Sequence, residues 1–336
     1  MQDDKVYLIA EVGQAHEGSL GMAHSYIDAL ADAGVDAVKF QMHIADAESS
    51  VHEPFRVKFS YEDETRQDYW RRMEFTPEQW QGLKDHCDRA GVDFLCSPFS
   101  LAAVELLEQL GVTAYKIGSG EIANLLMLDR IAQTGKPVIL SSGMSDLAEL
   151  DRSVMFLRGQ RTEVALLQCT TAYPTEPEQY GLNQIAFLRE RYGLRTGYSD
   201  HSSKPATCIA AAALGAQILE FHVVFDRAQF GPDAKSSLTL SETAYLVQSV
   251  REIEVALAHP VDKDDIRAYA EVKKIFGKSL AVNRDLSAGE VLSVRDLESK
   301  KPGGMGIPAA DYASVVGRRT NRPLAKWSFL NEEDLI

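Results

Sequence analysis

Two histidines raise the first chemical question. His201 closes the run Gly197-Tyr198-Ser199-Asp200-His201, and His222 lies inside the apolar run Ile218-Leu219-Glu220-Phe221-His222-Val223-Val224-Phe225. Each run predicts a short buried β-strand, and the alanine-rich stretch 204–216 between them has helical propensity. Strand, helix, strand is a βαβ unit, whose strands are parallel and usually adjacent. Both imidazoles then point toward one end of a sheet, where they can hold a divalent metal. The competing expectation is two unrelated histidines, one of them satisfied in a core.

The elements that must position them alternate along the whole upstream chain. Strands are predicted at 6–12, 37–42, 92–98, 114–119, 138–143 and 164–170, before the two histidine strands. Helices follow each. The first is N-capped by Ser19, with an apolar stripe of Ala23, Tyr26, Ile27 and Leu30, and closes at Gly34. The others are expected at 76–89, opened by Thr76-Pro77, and at 101–110, 125–133, 147–158, 182–191, 204–216 and 241–258. Eight strand–helix pairs within residues 1–260 predict an α/β chain folded as a (β/α)8 TIM barrel. A doubly wound open sheet is the rival, but no GxGxxG follows the first strand. The polar insert 44–74, with Arg56, Lys58, Arg66, Arg71 and Arg72, is expected to form a lid or active-site loop; a solvated surface excursion is the alternative. A charged linker at 261–277 leads to a small β-rich domain at 278–336, with the short runs SLAV, VLSV and RPLA and the Gly/Pro-rich segment 302–308.

Barrel chemistry comes from the C-terminal ends of the strands. Here those ends deliver Glu11, then Lys39 and Gln41, Ser97, and Lys116 with Ser119 and Glu121. Ser141 and Ser142 follow, then Thr170, Thr171 and Tyr173, Ser199 and His201, and finally His222. Two lysines among several hydroxyls make a cradle for a phosphate or carboxylate. Two histidines near a carboxylate make a metal site with open positions. Together they imply an anionic substrate and an electrophile that a metal can polarise. Each has a plainer reading: lysines at strand ends can snorkel, Ser141-Ser142-Gly143 can be an ordinary turn, and Glu121 can serve a helix dipole.

Composition narrows the partners. With 35 Lys+Arg against 49 Asp+Glu, the net charge of −14 argues against nucleic acid or an anionic membrane as a general partner. Cys87, Cys96, Cys169 and Cys208 have no zinc-ribbon spacing, and the three in or beside apolar segments are expected to act as small hydrophobes. Residues 1–4 lack a basic n-region and no apolar run reaches a membrane span, so a reduced, cytoplasmic location is expected.

These strand ends resemble the sialic acid synthase family, which condenses phosphoenolpyruvate with an N-acylated hexosamine into nine-carbon nonulosonic acids. The resemblance spans the chain. It rests on Ala10-Glu11 with His16 and Gly18, Val38-Lys39-Phe40-Gln41, Ser97-Pro98-Phe99 and Tyr115-Lys116-Ile117-Gly118-Ser119-Gly120-Glu121. It continues through Ser142-Gly143-Met144, Tyr173-Pro174, Tyr198-Ser199-Asp200-His201, His222 and Gly231-Pro232-Asp233. The last segment is similar to the small antifreeze-like (SAF) domain, through Arg284-Asp285-Leu286, Gly289-Glu290 and Lys301-Pro302-Gly303.

The resemblance implies His201 and His222 as ligands of a divalent ion, manganese first, with magnesium or cobalt as alternatives. It implies that Lys39, Ser97, Lys116, Ser119, Ser141 and Ser199 hold phosphoenolpyruvate, and that Gln41, Glu121, Tyr173, Asp233 and Lys301 face the sugar. Glu11 would handle the proton of the water or sugar hydroxyl. It also implies a homodimer in which each small domain caps the partner's barrel. Departures from the family pattern at Ala15-His16-Glu17-Gly18, Thr171 and Lys301 bear on which sugar is used, and 115–121 is closer to the neuraminate and legionaminate branch than to the pseudaminate one. Two rival readings make different predictions. A Schiff-base aldolase using Lys116 or Lys39 predicts covalent trapping by borohydride and indifference to chelators. An inactive carbohydrate-binding protein of surface-polysaccharide assembly predicts ligand binding without phosphate release.

Overall fold

The computed structural model describes residues 5–57 and 59–336; residues 1–4 and Lys58 of the insert lie outside the described residues. The chain divides into two compact units, Met1–His259 and Pro260–Ile336.

In the first unit, β1 (Tyr7–Gly13) leads to α1 (Leu20–Asp32), whose first turn is capped by Ser19 Oγ accepting from the Met22 N–H. Then come β2 (Ala37–Met42), two helices of the insert, α2 (Ala45–Glu48) and α3 (Arg66–Met73), and α4 (Pro77–Ala90). A Thr76/Gln79 capping box opens α4 and the left-handed Gly91 closes it. The alternation continues through β3 (Asp93–Pro98), α5 (Leu101–Leu110), β4 (Tyr115–Ile117), α6 (Leu125–Ala132), β5 (Val138–Ser141) and α7 (Leu147–Gly159). It ends with β6 (Val164–Cys169), α8 (Gln184–Tyr192), β7 (Arg195–Asp200), α9 (Pro205–Ala213), β8 (Ile218–Val224), the two-residue β9 (Leu238–Thr239) and α10 (Leu240–Ala258).

The eight long strands are parallel and hydrogen-bonded in the order β3-β2-β1-β8-β7-β6-β5-β4. Pairing of β1 with β8 brings first and last strands together, and β3 lies beside β4 to make a nearly closed barrel. The expected barrel is therefore observed, and β7 and β8 are adjacent and parallel as the histidine unit requires. Their approach depends on Gly197: a Cβ there would lie 2.1 Å from the Ile218 carbonyl oxygen.

Strand alternation explains how the barrel places polar groups at one end. Inward residues two apart share a face. The lower inward layer is apolar, with Ile9, Ala37, Leu95, Ala114, Ile139, Ala165, Leu167 and Ile218 in one buried cluster. Two residues further along most of these strands stand Glu11, Lys39, Ser97, Lys116, Ser141, Cys169 and Glu220, with His222 one step beyond Glu220. Outward faces pack against the helices in the main core, which includes Leu8, Val38, Phe40, Leu140, Leu166 and Phe221.

The insert is more structured than its polar composition suggests. Tyr69, Trp70 and Met73 of α3 are buried, with Phe55 and Phe59 packed against them. In the second unit the charged linker is not featureless, since 270–276 forms α11 (Ala270–Phe276). Beyond it, β10 (Ser279–Val282) and β11 (Leu297–Lys300) form a small antiparallel sheet over a core that includes Leu280, Val282, Leu292 and Leu330. The run at 291–294 contributes one bridge, Val291 to Arg319, and that at 322–325 another, Leu324 to Leu286, rather than full strands.

Candidate active site

Backbone register sets the site's first contacts. Glu11 pairs with Lys39 on one side and with His222 on the other. Ser199 pairs with Cys169 on one side and Glu220 on the other. Around this ring lies a cavity of about 260 Å³ at the C-terminal ends of the strands.

The floor of the cavity is an alternating charge chain. Lys39 forms an ion pair with Glu11, lies 3.8 Å from Glu220 Oε2 and donates to Ser97 Oγ at 3.1 Å. Lys116 Nζ lies 3.2 Å from Glu220 Oε1 and donates to the Ile117 carbonyl at 3.3 Å. Ser199 Oγ donates to the same Glu220 oxygen at 3.1 Å. Both lysines are nearly inaccessible, 3% and 2% exposed, which rules out the snorkelling alternative for them. Burial pushes Glu220 up, but Lys116 and Lys39 outweigh it and hold the carboxyl down at about 2. For Glu11, burial dominates and the net direction is up, despite the pull of Lys39. Lys39 has Glu220 as a second counter-ion and is raised against its own burial, so Glu11 is the softer member of their pair. Lys116 is lowered by burial, with Glu220 opposing.

Short donors surround these charges. Ser97 accepts from Lys39 and so keeps its hydroxyl hydrogen to give. Ser119 Oγ accepts from the Gly143 N–H at 3.0 Å. The Ser141 hydroxyl is buried without a hydrogen-bond partner among the described residues, which suits a donor waiting for an anion.

The two histidines stand with ring centroids 5.2 Å apart, and the Tyr173 ring lies 4.2 Å from that of His201. His201 Nδ1 donates to the Thr170 carbonyl at 2.9 Å, which leaves Nε2 as the nitrogen that could bind a metal once it has lost its proton. Burial lowers His201, but Cys169, 3.9 Å away, and the Thr170 carbonyl raise it overall to about 9. Burial brings His222 down to about 4, so this imidazole is unprotonated near neutrality. Among the described residues no group of three or more His, Cys, Asp or Glu is placed to hold a metal ion. Two imidazoles alone would leave the other positions of a divalent ion to water or substrate oxygens.

The insert supplies part of the cavity wall. Arg56 lies over the Tyr173 ring at 4.0 Å and donates to Asp233 Oδ1 at 2.9 Å. Arg66 and Trp70 also line the cavity, Arg66 stacked 4.0 Å over the Trp70 ring. This supports the lid expectation over the solvated excursion.

Of the residues singled out in the sequence, Glu11, Lys39, Gln41, Ser97, Lys116, Ser119, Ser141, Tyr173, Ser199, His201, His222 and Asp233 all line this cavity. Glu121 does not. It ends the 3-10 turn Ser119–Glu121, half-buried, and accepts from Asn124 Nδ2 at 2.8 Å. Lys301 belongs to the second unit, its ammonium 4.9 Å over the Phe276 ring. Sequence reasoning missed Glu220 and treated Cys169 as a small hydrophobe, yet both line the cavity. Glu220 stands two residues before His222, so strand period alone puts it on the same face. Gln14, from the loop after β1, had no signal of its own.

Two buried histidines make stability acid-sensitive. Burial, reinforced by His43, holds His16 down at about 3, and His222 lies at about 4. Both are depressed from about 6.5, so their contribution is fully present above that pH and is lost as pH falls through the folded values. The expected slope is about 1.4 kcal/mol per pH unit for each histidine between pH 6.5 and 4. Urea midpoints across that range read the net slope, which Asp200 and Glu17, raised by burial to about 6 and about 7, oppose. His16→Gln is expected to lower it by about 1.4 kcal/mol per pH unit, and an unchanged slope in that variant would remove His16 from the account.

Comparison with known proteins places the chain in a family. The NeuB family model matches residues 26–262, and the SAF domain model matches residues 277–335. The chain belongs to the NeuB family, and it is an enzyme of the sialic acid synthase type. It is 34% identical to N,N'-diacetyllegionaminic acid synthase of Campylobacter jejuni, over 94% of this chain and 95% of that one. It is 32% identical to human N-acetylneuraminate-9-phosphate synthase, over 93% and 88% of the two chains. Among solved structures, the N-acetylneuraminic acid (sialic acid) synthetase of Leptospira borgpetersenii, in complex with citrate, aligns with a TM-score of 0.70 at 29% identity, over 80% of this chain and 91% of that one. No helix among the described residues is long and apolar enough to cross a membrane.

Proposed function

We propose that the protein condenses phosphoenolpyruvate with an open-chain N-acylated hexosamine, N-acetylmannosamine or a 2,4-diacetamido-trideoxyhexose, into a nine-carbon nonulosonic acid, releasing phosphate, and that it acts as a homodimer. The observation that carries this reading is the pair of buried ammoniums, Lys39 and Lys116, set among serines beside two facing histidines. In it, Lys39, Lys116, Ser97, Ser119 and Ser141 bind the carboxylate and phosphate of the enol phosphate. Gln41, Tyr173 and Asp233 orient the sugar. A divalent ion held by His201 and His222, manganese first and magnesium or cobalt as alternatives, would supply a Lewis acid for the aldehyde oxygen.

C3 of the enol phosphate forms the new bond to the aldehyde carbon, and the positive charge left at C2 is taken by water. Glu11, whose carboxyl burial pushes up, accepts the water's proton, which ends on the former aldehyde oxygen. The tetrahedral C2 centre then expels phosphate by C–O cleavage, its hydroxyl becoming the product ketone and its proton leaving with phosphate. Phosphate release from phosphoenolpyruvate, measured across a panel of N-acyl hexosamines with manganese and with EDTA, tests the reading. Release with one sugar of the panel is expected. Silence from folded protein across the panel would turn attention to the binding-protein reading.

One observation favours a second reading: burial lowers the Lys116 amine, as a Schiff-base lysine requires. Borohydride trapping separates the two, because the proposed condensation leaves no covalent adduct on the protein.

A further inference from the structure

Beside the cavity wall, Glu48, His43 and Gln14 are polar groups that the proposed reaction does not use, and they connect to two that it does, Gln41 and Glu11. Glu48, at the end of α2, accepts from His43 Nδ1 at 2.7 Å. His43 Nε2 lies 3.1 Å from Gln14 Nε2, and the same Gln14 amide nitrogen donates to Gln41 Oε1. Gln41 Nε2 in turn donates to Glu11 Oε1 at 2.9 Å. His43 is 3% exposed and Gln14 6%, so water is a poor substitute for these partners. The His43 ring is clamped between Trp70, 3.9 Å away, and Phe99, 4.8 Å away. At the other end Gly13 makes room: a Cβ there would lie 3.2 Å from Glu11 Oε1 and 3.5 Å from Gln41 Nε2.

The polarity of the chain is determined by its ends. With carboxylates at Glu48 and Glu11, both terminal groups accept only. His43 must then carry hydrogen on Nδ1 and offer a lone pair at Nε2, which takes one Gln14 amide hydrogen. The second Gln14 hydrogen goes to Gln41 Oε1, which turns the Gln41 amide toward Glu11. Reversing either amide sets oxygen against oxygen unless a carboxylate takes up a proton. We infer that Glu48 and His43, acting through Gln14 and Gln41, form a buried relay that orients the carboxylate of Glu11. His43, Glu48 and Gln14 are thus positioning residues, and their catalytic effect rests on the role proposed for Glu11.

Two readouts test this separately. In protein labelled with 15N-histidine, the His43 signal, assigned by its loss in His43→Phe, is expected to show the tautomer with hydrogen on Nδ1. Hydrogen on Nε2 would overturn the relay, whether or not the protein releases phosphate. In phosphate-release kinetics, His43→Phe keeps the ring stack and loses both hydrogen bonds. Its kcat is expected to fall roughly 10- to 100-fold with little change in KM for phosphoenolpyruvate, as for a misplaced catalytic group. His43→Gln, whose terminal amide can accept from Gln14, is expected to recover more than half of the loss on a logarithmic scale. Equal losses in the two variants would mean a merely structural role and overturn the proposal, as would an unchanged kcat in His43→Phe. If the wild-type protein releases no phosphate, the functional reading fails, while the tautomer still decides the relay.

Discussion

Replacing Lys116 with methionine is expected to lower phosphate release about 10³-fold and to destabilise the fold by about 3 kcal/mol, and the two losses have different cures. The rate falls because one of two buried charges facing the anion is gone, and a single preorganised donor typically carries 10²–10³ in rate. Stability falls because Glu220 loses its nearer ammonium, 3.2 Å away, while Lys39 remains at 3.8 Å. Breaking a buried ion pair by removing one partner costs about 3–5 kcal/mol. The remaining Lys39 contact and the Ser199 hydroxyl bring the expectation to the lower end of that range. A double variant, Lys116→Met with Glu220→Gln, removes the orphaned charge. Most of the stability is expected to return and none of the rate. Urea denaturation and steady-state phosphate release on the same samples read the two quantities. A double variant as unstable as the single one would show that packing of the lysine stem, rather than charge pairing, holds this part of the barrel together.

Glu220 also shows where the sequence was legible and where it was not. The barrel could be read from strand–helix alternation because each βα unit is local, with its own caps and apolar stripe. The inward residues of most strands were legible too, because a lysine or serine in an apolar run stands out. Strand β8 is buried on both faces, however, so it reads as a continuous apolar run with its carboxylate easily passed over. Cys169 is hidden for another reason, since a thiol facing the cavity and one facing a helix have the same side-chain chemistry. Glu121 lies outside the lined cavity because the strand expected at 114–119 ends at Ile117, and the 3-10 turn that follows carries the side chain to Asn124. In the insert, the polar majority masked five aromatic or sulfur-bearing side chains, Phe55, Phe59, Tyr69, Trp70 and Met73, that make its own small core. The relay from Glu48 to Glu11 joins β1, β2 and the segments after them, and contacts of that range leave no mark in a local pattern.

Chelation is the second large effect expected. EDTA-treated protein should lose phosphate release by about 10³-fold or more and regain it with manganese, because a Lewis acid on the aldehyde oxygen contributes several kcal/mol to the transition state. His222→Ala should lose both the rate and most of the manganese affinity. The pH dependence of binding carries a sign that follows from the two rings. His222, held near 4, has no proton to give up at neutral pH. His201, raised to about 9, does have one, so binding releases about one proton. Manganese affinity is therefore expected to rise roughly tenfold per pH unit on approach to pH 9, about 10²-fold between pH 6 and 8. Titration calorimetry in buffers of different ionisation enthalpy counts that proton directly. Cys169→Ser removes the sulfur whose thiolate favours the His201 proton and should flatten the slope while tightening binding at pH 6. Phosphate release that survives EDTA, or manganese affinity untouched by His222→Ala, would sink the two-histidine site and leave the lowered Lys116 amine as the group to pursue.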